Sequence, residues 1–322
     1  MAHIRKIEDF DSPNVAELAL IAACKAGEFC YLGDGELPEQ GDKSREIRAD
    51  LLRFLILGGC PDCVVSEGVE LFGALITGTL DLSFRQASGP INLSRCRFEQ
   101  DISLLQTRFD ALYLNGSHLK AINAQGVDVK GDIFLRDGFQ AKGEVRLSSA
   151  EIGGQLNCSK GSFTNPDGHA LFAQGVKVKG DIFLHGGFQA KGEVSLSSAE
   201  IGGQLNCSNG SFTNPDGLAL FAQGVKVKGD IFLHGGFQAK GEVSLSSAEI
   251  GGQLNCSNGS FTNPDGLALN AQQMSVSDEF YWYNVEISGG TVILDSAHAG
   301  SLADDLSSWP EGARVSLDGF II

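Results

Sequence analysis

The sequence predicts an all-β solenoid: a right-handed, four-sided β-helix of about ten coils with a small helical cap at its N-terminus. Three observations predict it. Residues 131–179, 180–228 and 229–277 align without gaps at a period of 49 residues. Each copy contains eight short apolar-x-apolar triplets, and alternation of period two is typical of strands with one buried face. Corners rich in glycine, serine and asparagine separate these triplets.

The three copies are nearly identical, which indicates a periodic surface. The third copy follows the second without change through Leu269. The first and second copies differ at five positions: Arg136/His185, Asp137/Gly186, Arg146/Ser195, Lys160/Asn209 and His169/Leu218.

The repeat length predicts the shape of each coil. Eight triplets per copy give about six residues per face, so a copy divides into a shorter and a longer four-sided coil. The longer coil contains an N-P-D-G turn from Asn165 to Gly168. Similar spacing continues in both directions, so we expect the coils to run from Val69 to Ala299.

This register predicts which side chains share a face of the solenoid. Cys158, Cys207 and Cys256 should point inward, with Ile133, Ile182 and Ile231 on the intervening coils of that face. Outward residues on another face should form a ladder of alternating charge, which stabilises adjacent strands. The ladder comprises Glu151, Lys177, Glu200, Lys226 and Glu249. Strand parity also points five phenylalanines outward, as a possible contact surface for a partner: Phe134, Phe183 and Phe232 on one face, and Phe172 and Phe221 on another.

The two ends differ in texture from the repeats. Residues 1–66 are predicted to form a helical head that covers the N-terminal end of the solenoid, residues 67–300 the β-helix, and residues 301–322 a C-terminal cap. The first helix of the head should open at Ser12-Pro13 and end at Gly27, and the second should run from Ser44 to Leu57. In the C-terminal cap, Leu302, Leu306 and Trp309 should lie over the last coil, and residues 315–317 should form a final strand.

Composition and charge exclude several classes of protein. The formal net charge of −16 argues against nucleic-acid binding through a basic surface. There is no apolar run of about 18 residues, so we expect no membrane span, and the N-terminus has no signal-like apolar segment. Eight cysteines in such a chain are interpreted as thiols in a reducing cytoplasm.

Two short segments contain residues that could take part in catalysis or metal binding. Cys60-Pro61-Asp62-Cys63 could be a redox dithiol, a zinc site completed by Cys24 and Cys30, or plain thiols in a capping region, and the last interpretation is favoured. Asp304-Asp305 could serve a polysaccharide-cleaving site, but a solvated turn explains this pair more simply. We therefore predict no catalytic residue, no metal and no cofactor.

The coils resemble those of bacterial pentapeptide-repeat proteins. A closer resemblance is to bacterial β-helix proteins often labelled membrane-associated oxidoreductases, and it rests on residues 45–59 (R-E-I-R-A-D-L-L-R-F-L-I-L-G-G), 73–82 (G-A-L-I-T-G-T-L-D-L) and 308–320 (S-W-P-E-G-A-R-V-S-L-D-G-F). Longer members of that group continue into a helical, sometimes membrane-associated region that this sequence does not contain. The residues do not support the oxidoreductase label. A dinucleotide-binding motif is absent, because no G-x-G-x-x-G follows a strand and opens a helix.

These observations favour a non-enzymatic function. The leading hypothesis is a rigid scaffold or protein-binding module, with a protein partner or a second copy of the chain as its ligand. One alternative is an acidic DNA mimic of the pentapeptide-repeat type that acts on a topoisomerase. The balanced Glu/Lys ladder argues against it, because a mimic needs uncompensated carboxylates. A polysaccharide-acting β-helix enzyme is the further alternative.

Overall fold

The protein is an all-β parallel solenoid of about 11 turns with only two short α-helices, as seen in a computed structural model that describes residues 6–87, 89–309 and 314–322. The predicted fold class is confirmed, with one turn more than expected. The strands fall into four stacks in which neighbours pair in parallel, and the first turns have no strand in one of them. The right-handed sense and the square cross-section stay predictions.

The first stack contains short strands that carry the predicted charge ladder. They are Arg108–Phe109, Asp128–Val129, Glu151–Ile152, Lys177–Val178, Glu200–Ile201, Lys226–Val227, Glu249–Ile250, and the first parts of Ser275–Trp282 and His298–Asp304.

The second stack follows the first along each turn. Its strands are Cys30–Tyr31, Val69–Phe72, Ile91–Ser94, Leu112–Tyr113, Ile133–Phe134, Leu156–Asn157, Ile182–Phe183, Leu205–Asn206, Ile231–Phe232, Leu254–Asn255, and the later parts of Ser275–Trp282 and His298–Asp304.

The third and fourth stacks are joined wherever a strand crosses the corner between them. The third contains Glu46–Arg48, Leu75–Thr77, Arg97–Phe98, His118–Leu119, Gln140–Ala141, the first parts of Ser162–Phe172, Gln189–Ser195, Ser211–Phe221 and Gln238–Ser244, then Ser260–Thr262 and Glu286–Ile287. The fourth contains Leu80–Asp81, Ile102–Ser103, Ile122–Asn123, Val145–Arg146, the later parts of the same four long strands, then Leu267–Asn270, Thr291–Ile293 and Arg314–Ser316.

Pairing confirms the predicted register of the repeats. Glu151 pairs with Lys177 across the longer coil, and Lys177 pairs with Glu200 across the shorter one. The N-P-D-G segment lies inside the long strand Ser162–Phe172 as an irregularity where the register shifts. The Asn165 side chain closes it by donating to the carbonyl of His169 at 2.9 Å.

A column of aromatic rings, each tilted by 40–47° to the next, fills the core beneath the third stack. Within the repeats, inward positions of this stack alternate between Ala and Phe, as in the pairing of Ala190 with Phe163 and Phe212. The space above each alanine is filled by a phenylalanine from the corner two residues earlier, such as Phe188. Successive rings lie 5.2–5.4 Å apart, a distance at which aromatic pairs attract beyond their buried area. The column runs through Phe139, Phe163, Phe188, Phe212, Phe237 and Phe261.

The repeated cysteines lie inside the solenoid, as predicted. Cys158, Cys207 and Cys256 are fully buried on the second-stack side. The predicted isoleucines also lie on the intervening turns of this face, where Ile182 pairs with Leu156. Leucines such as Leu184 lie level with the cysteines.

The head contains helix α1 (Val15–Ala26), helix α2 (Ala49–Ile56) and 3-10 helices at Ile7–Asp9, Lys43–Arg45 and Val65–Glu67. Helix α1 starts later than predicted because Asn14, not Ser12, is its N-cap and accepts from the Glu17 amide. It ends at Gly27 (φ +68°), as expected.

Helix α2 is shorter than the predicted segment from Ser44 to Leu57. Residues Glu46–Arg48 form a strand that pairs with Leu75–Thr77, because Ile47 is fully buried there. Parallel pairing therefore begins inside the predicted head. Buried side chains of both helices belong to the same apolar core as the turns.

At the other end, the predicted final strand is present. Arg314–Ser316 pairs with Thr291–Ile293. Trp309 and Leu302 pack against the core, but the prediction for Leu306 is wrong. Leu306 is 93% exposed because it lies in a 3-10 turn, Leu306–Ser308, whose N-cap is Asp305. Residues 310–313 of the predicted cap lie outside the described residues.

Candidate interaction surface

The charged strip is the set of outward residues on the first stack. Its first row contains Asp128 and the five predicted ladder residues: Glu151, Lys177, Glu200, Lys226 and Glu249. Its second row, two residues further along each strand, alternates lysine with glycine: Lys130, Gly153, Lys179, Gly202, Lys228 and Gly251. The strip lines a shallow open groove of about 1460 Å³.

Ion pairs run along the strip from one turn to the next. The Lys226 ammonium lies 2.9 Å from the Glu249 carboxylate, and this hydrogen bond raises the pKa of Lys226. Lys177 and Glu200 form the equivalent pair at 3.9 Å. Upstream of the predicted ladder, Arg108 pairs with Asp128 at 3.4 Å. These contacts are exposed, so each stabilises the fold only slightly.

The glycines of the second row are required by the close approach of neighbouring strands. A Cβ atom on Gly202 would lie 2.1 Å from the carbonyl oxygen of Lys179, and one on Gly153 equally close to that of Lys130. Every second turn therefore presents a gap beside a long lysine side chain. Sequence patterning predicted the first row but not this second row of knobs and gaps.

The aromatic strip is the outward row of the second stack, where Phe134, Phe183 and Phe232 were predicted. Each of these rings is half-buried, not freely exposed. On the turns between them lie Asn157 and Asn206. The row therefore alternates aromatic and amide side chains at two-turn spacing.

In the second and third copies, the phenylalanine of the aromatic strip contacts a histidine edge-on. The rings of Phe183 and His185 lie 5.2 Å apart, as do those of Phe232 and His234. Burial lowers the pKa of both histidines, which favours neutral imidazoles at neutral pH. This part of the strip is therefore uncharged.

The first copy ends the aromatic strip differently. Here Arg136 takes the place of histidine and its guanidinium lies over the Phe134 ring, 4.3 Å from the centroid. Tyr113 on the preceding turn contacts the same ring at 5.1 Å. Arg136 and Lys160 both form ion pairs with Asp137. Three of the five residues that distinguish the first copy thus form one cluster.

The other two distinguishing residues cover Phe172 on the fourth stack. The guanidinium of Arg146 lies 4.9 Å from the centre of this ring, and the ring of His169 lies 4.4 Å from it. His169 is also 3.4 Å from Glu193 on the next turn. In the second copy Ser195 and Leu218 replace these partners around Phe221, which is half-buried. The five sequence differences are therefore gathered in two surface clusters, which sequence comparison alone did not reveal.

A further aromatic cluster in the head was missed by the sequence analysis. The rings of Tyr31 and Phe72 stack at 4.8 Å, and Phe29 lies 6.0 Å from Phe72. Phe29 and Tyr31 are 58% and 60% exposed. The cluster forms because residues 30–31 pair with residues 71–72, and the sequence analysis predicted no strand in the head.

The interpretation of all eight cysteines as thiols is wrong. Cys60 and Cys63 form a disulfide, because a tight turn brings their Cα atoms within 5.4 Å. The segment after them begins with the 3-10 helix Val65–Glu67 before it becomes extended. Cys24 and Cys30 are buried thiols, and desolvation raises the pKa of each to about 11.

Asp304 and Asp305 have structural partners. Asp305 caps the 3-10 turn by accepting from Ser308, and hydrogen bonds from Ser307, Asn284 and Ser308 hold its pKa well below the usual range. Asp304 accepts from the indole of Trp309. Across the described ranges, no group of three or more His, Cys, Asp or Glu residues is placed to hold a metal ion. Nor is any helix within them long and apolar enough to cross a membrane.

Comparison with protein-family models, with curated proteins and with solved structures gave no match. The resemblance to pentapeptide-repeat proteins and to the β-helix group therefore stays a prediction.

Proposed function

We propose that this protein is a non-catalytic scaffold that presents a rigid periodic surface to protein partners. The observation that carries the proposal is the straight alignment of identical outward side chains over the three copies. Phe183 and His185 recur as Phe232 and His234 two turns later, about 9.6 Å along the axis at ~4.8 Å per turn. A row of equally spaced copies of one contact suits a partner that is itself extended or repeated.

The aromatic strip supports a protein ligand in particular. Its rings are outward, half-covered and flanked by amides, and its histidines favour the neutral form. Aromatic side chains supported by packed neighbours are typical anchors of protein interfaces, because they lose little conformational freedom on binding. The rigid backbone beneath them adds to this pre-organisation.

The test compares three baits in extracts of the native host: the wild-type chain, a Phe183→Ala/Phe232→Ala variant, and a Lys191→Ala/Lys240→Ala control. Both lysines recur with the same two-turn spacing on the third stack and are exposed. We expect a protein that the wild type and the lysine control retain and that the phenylalanine variant loses. In binding assays with the purified baits, that protein should bind the wild type and the lysine control more tightly than the phenylalanine variant. Equal retention by all three baits, or by none, contradicts the proposal.

Two other functions rank below this one. A DNA mimic is favoured by the net charge of −16, but the lysines of the charged strip compensate its carboxylates. Unchanged supercoiling by gyrase in the presence of the protein would exclude it. A polysaccharide-acting enzyme would release new reducing ends from acidic polysaccharides.

A cytoplasmic location is also part of the proposal. The six free cysteines support it. The disulfide between Cys60 and Cys63 counts in the other direction.

A further inference from the structure

The charged strip is complementary to itself. We propose that it is a contact between two copies of this chain, which lie side by side with their solenoid axes antiparallel. This inference rests on the proposed scaffold function and names the partner of one of its surfaces. The order of charges and gaps along the strip matches that of a second, reversed copy.

A twofold axis parallel to the strands reverses the order of turns but keeps the two rows of the strip aligned. If that axis lies between the turns of Glu200 and Lys226, Glu200 of each chain faces Lys226 of the other. Lys177 then faces Glu249 of the second copy. The intramolecular pairs Lys177–Glu200 and Lys226–Glu249 are thereby joined into four-charge clusters across the interface.

The second row fits the same symmetry. Lys228 faces the gap at Gly202, and Lys179 faces the gap at Gly251. A long side chain thus meets an empty position at each turn, which satisfies the isologous contact that a twofold dimer requires.

The outer turns disfavour the neighbouring position of the axis towards the N-terminus. With the axis between Glu200 and Lys226, Asp128 faces His298, and Lys130 faces Gly300. Moving the axis to lie between Lys177 and Glu200 would place Asp128 against Glu249, and opposed like charges disfavour association. The chosen axis leaves no pair of like charges opposed along the strip.

Local charge also favours this surface for self-association. Two copies with a net charge of −16 repel each other over most of their surfaces. From Asp128 to Gly251 the strip carries five lysines against four acids, so it is a nearly neutral zone. Eight turns of about 4.8 Å and a width of two rows give a contact far smaller than a standard interface, so the dimer is weak. We expect a dissociation constant on the order of 100 µM.

The test is a charge-swap series measured by sedimentation equilibrium on the full chain. Lys177→Glu places two glutamates opposite each other at both symmetry-related contacts and should weaken the dimer by at least about tenfold. Glu249→Lys alone should do the same. The double variant K177E/E249K should recover the dimer to within about threefold of wild type, as should an equal mixture of the two single variants. Lys191→Glu, an exposed lysine on the third stack, is the matched control and should change nothing.

The double variant separates contacts between copies from contacts within one copy. It places a glutamate at position 177 between Glu151 and Glu200, and a lysine at position 249 next to Lys226. Its own ladder is therefore more disrupted than that of either single variant. Recovery of the dimer cannot come from repair of the fold, and circular dichroism checks that each variant remains folded.

A second measurement needs no variant. Zero-length crosslinking of mixed ¹⁴N- and ¹⁵N-labelled copies should join Lys177 of one copy to Glu249 of the other. A wild-type chain that stays monomeric to about 1 mM, a dimer that ignores the single reversals, or a double variant no better than the singles overturns the inference. Partner capture through the aromatic strip is independent of these residues, so a monomer that still captures its partner leaves the proposed function standing.

Discussion

The indole ring of Trp282 stacks on that of Trp309 with 5.3 Å between the ring centroids and 28° between the planes. Each indole N–H has its own acceptor: Trp282 donates to the carbonyl of Ser308 at 3.0 Å, and Trp309 donates to the Asp304 carboxylate at 2.6 Å. Trp282 also contacts Phe261, so Trp309 ends the internal column of aromatic rings. This pair holds the segment around Trp309 to the solenoid, and strand pairing holds Arg314–Ser316.

Replacing Trp309 by Ala should therefore open the last turn. We expect a local loss of about 2 kcal/mol, because a half-buried ring, its stacking and its hydrogen bond are all removed. Solenoid turns contact only their neighbours, so residues 131–277 should keep their hydrogen-exchange protection. Trp309→Phe retains a ring and should lose about half as much. Uniform loss of protection along the chain would contradict this prediction.

The buried carboxylate of Glu17 makes the head sensitive to acid. Glu17 is 1% exposed and accepts hydrogen bonds from the Arg48 side chain and from the backbone amides of Asn14 and Arg48. Desolvation raises the pKa of Glu17, but the hydrogen bonds lower it by more, so the net shift is downward. Its contribution to stability is complete above the ordinary carboxyl pKa of about 4.3 and is lost as the pH falls through the lower folded-state value.

We expect Glu17→Gln to cost about 2 kcal/mol at pH 7 and to reduce the stability lost below about pH 4. The exposed Glu28, just after helix α1, provides the control as Glu28→Gln. Urea denaturation at several pH values measures both variants. Identical pH profiles for wild type and Glu17→Gln would refute the role of this carboxylate.

Gly192 and Gly186 separate steric exclusion from backbone strain. Both have positive φ, but a Cβ atom on Gly192 would lie 2.1 Å from the carbonyl oxygen of Asn165, whereas one on Gly186 meets nothing within 4 Å. Gly192→Ala should cost more than about 3 kcal/mol, and Gly186→Ala about 1 kcal/mol. The first copy already carries Asp137 at the position of Gly186, with φ +52°. Equal melting temperatures for the two variants would count against the steric argument.

The thiols of the native protein should react slowly with an aromatic disulfide reagent. Burial raises the pKa of Cys158, Cys207 and Cys256 strongly, and that of Cys96 to about 12, so thiolate is scarce as well as inaccessible. Denaturation should expose six thiols, and prior reduction should raise the count by two. Eight thiols without reduction would show that Cys60 and Cys63 are not bonded.

The register of the solenoid could be predicted from the sequence because its period is fixed and its strands alternate. Every pairing of the charge ladder follows from the alternation of longer and shorter coils. The aromatic column could not be predicted in the same way. Phe188 lies at a corner, where strand parity does not say whether a side chain points inward.

Features outside the repeats were harder to predict for other reasons. Residues 44–48 carry a helical pattern, but burial of Ile47 against the first turn favours a strand. Arg146 pairs directly with Phe172, but His169 reaches the same ring from the irregular N-P-D-G segment, where strand parity does not say which way a side chain points. The outward aromatic rings were placed on the correct face, yet their half-burial depends on neighbours from adjacent turns.

The alternation of Phe and Ala under the third stack makes odd and even turns unlike. In the column, phenylalanines from strands alternate with phenylalanines from corners, and a register shift of one turn would place two rings of the same kind on adjacent turns, which this packing disfavours. Removal or duplication of one whole repeat copy, in contrast, would join surfaces that already fit each other. The length of the solenoid can thus change in steps of two turns, about 9.6 Å, without creating a new kind of contact between turns.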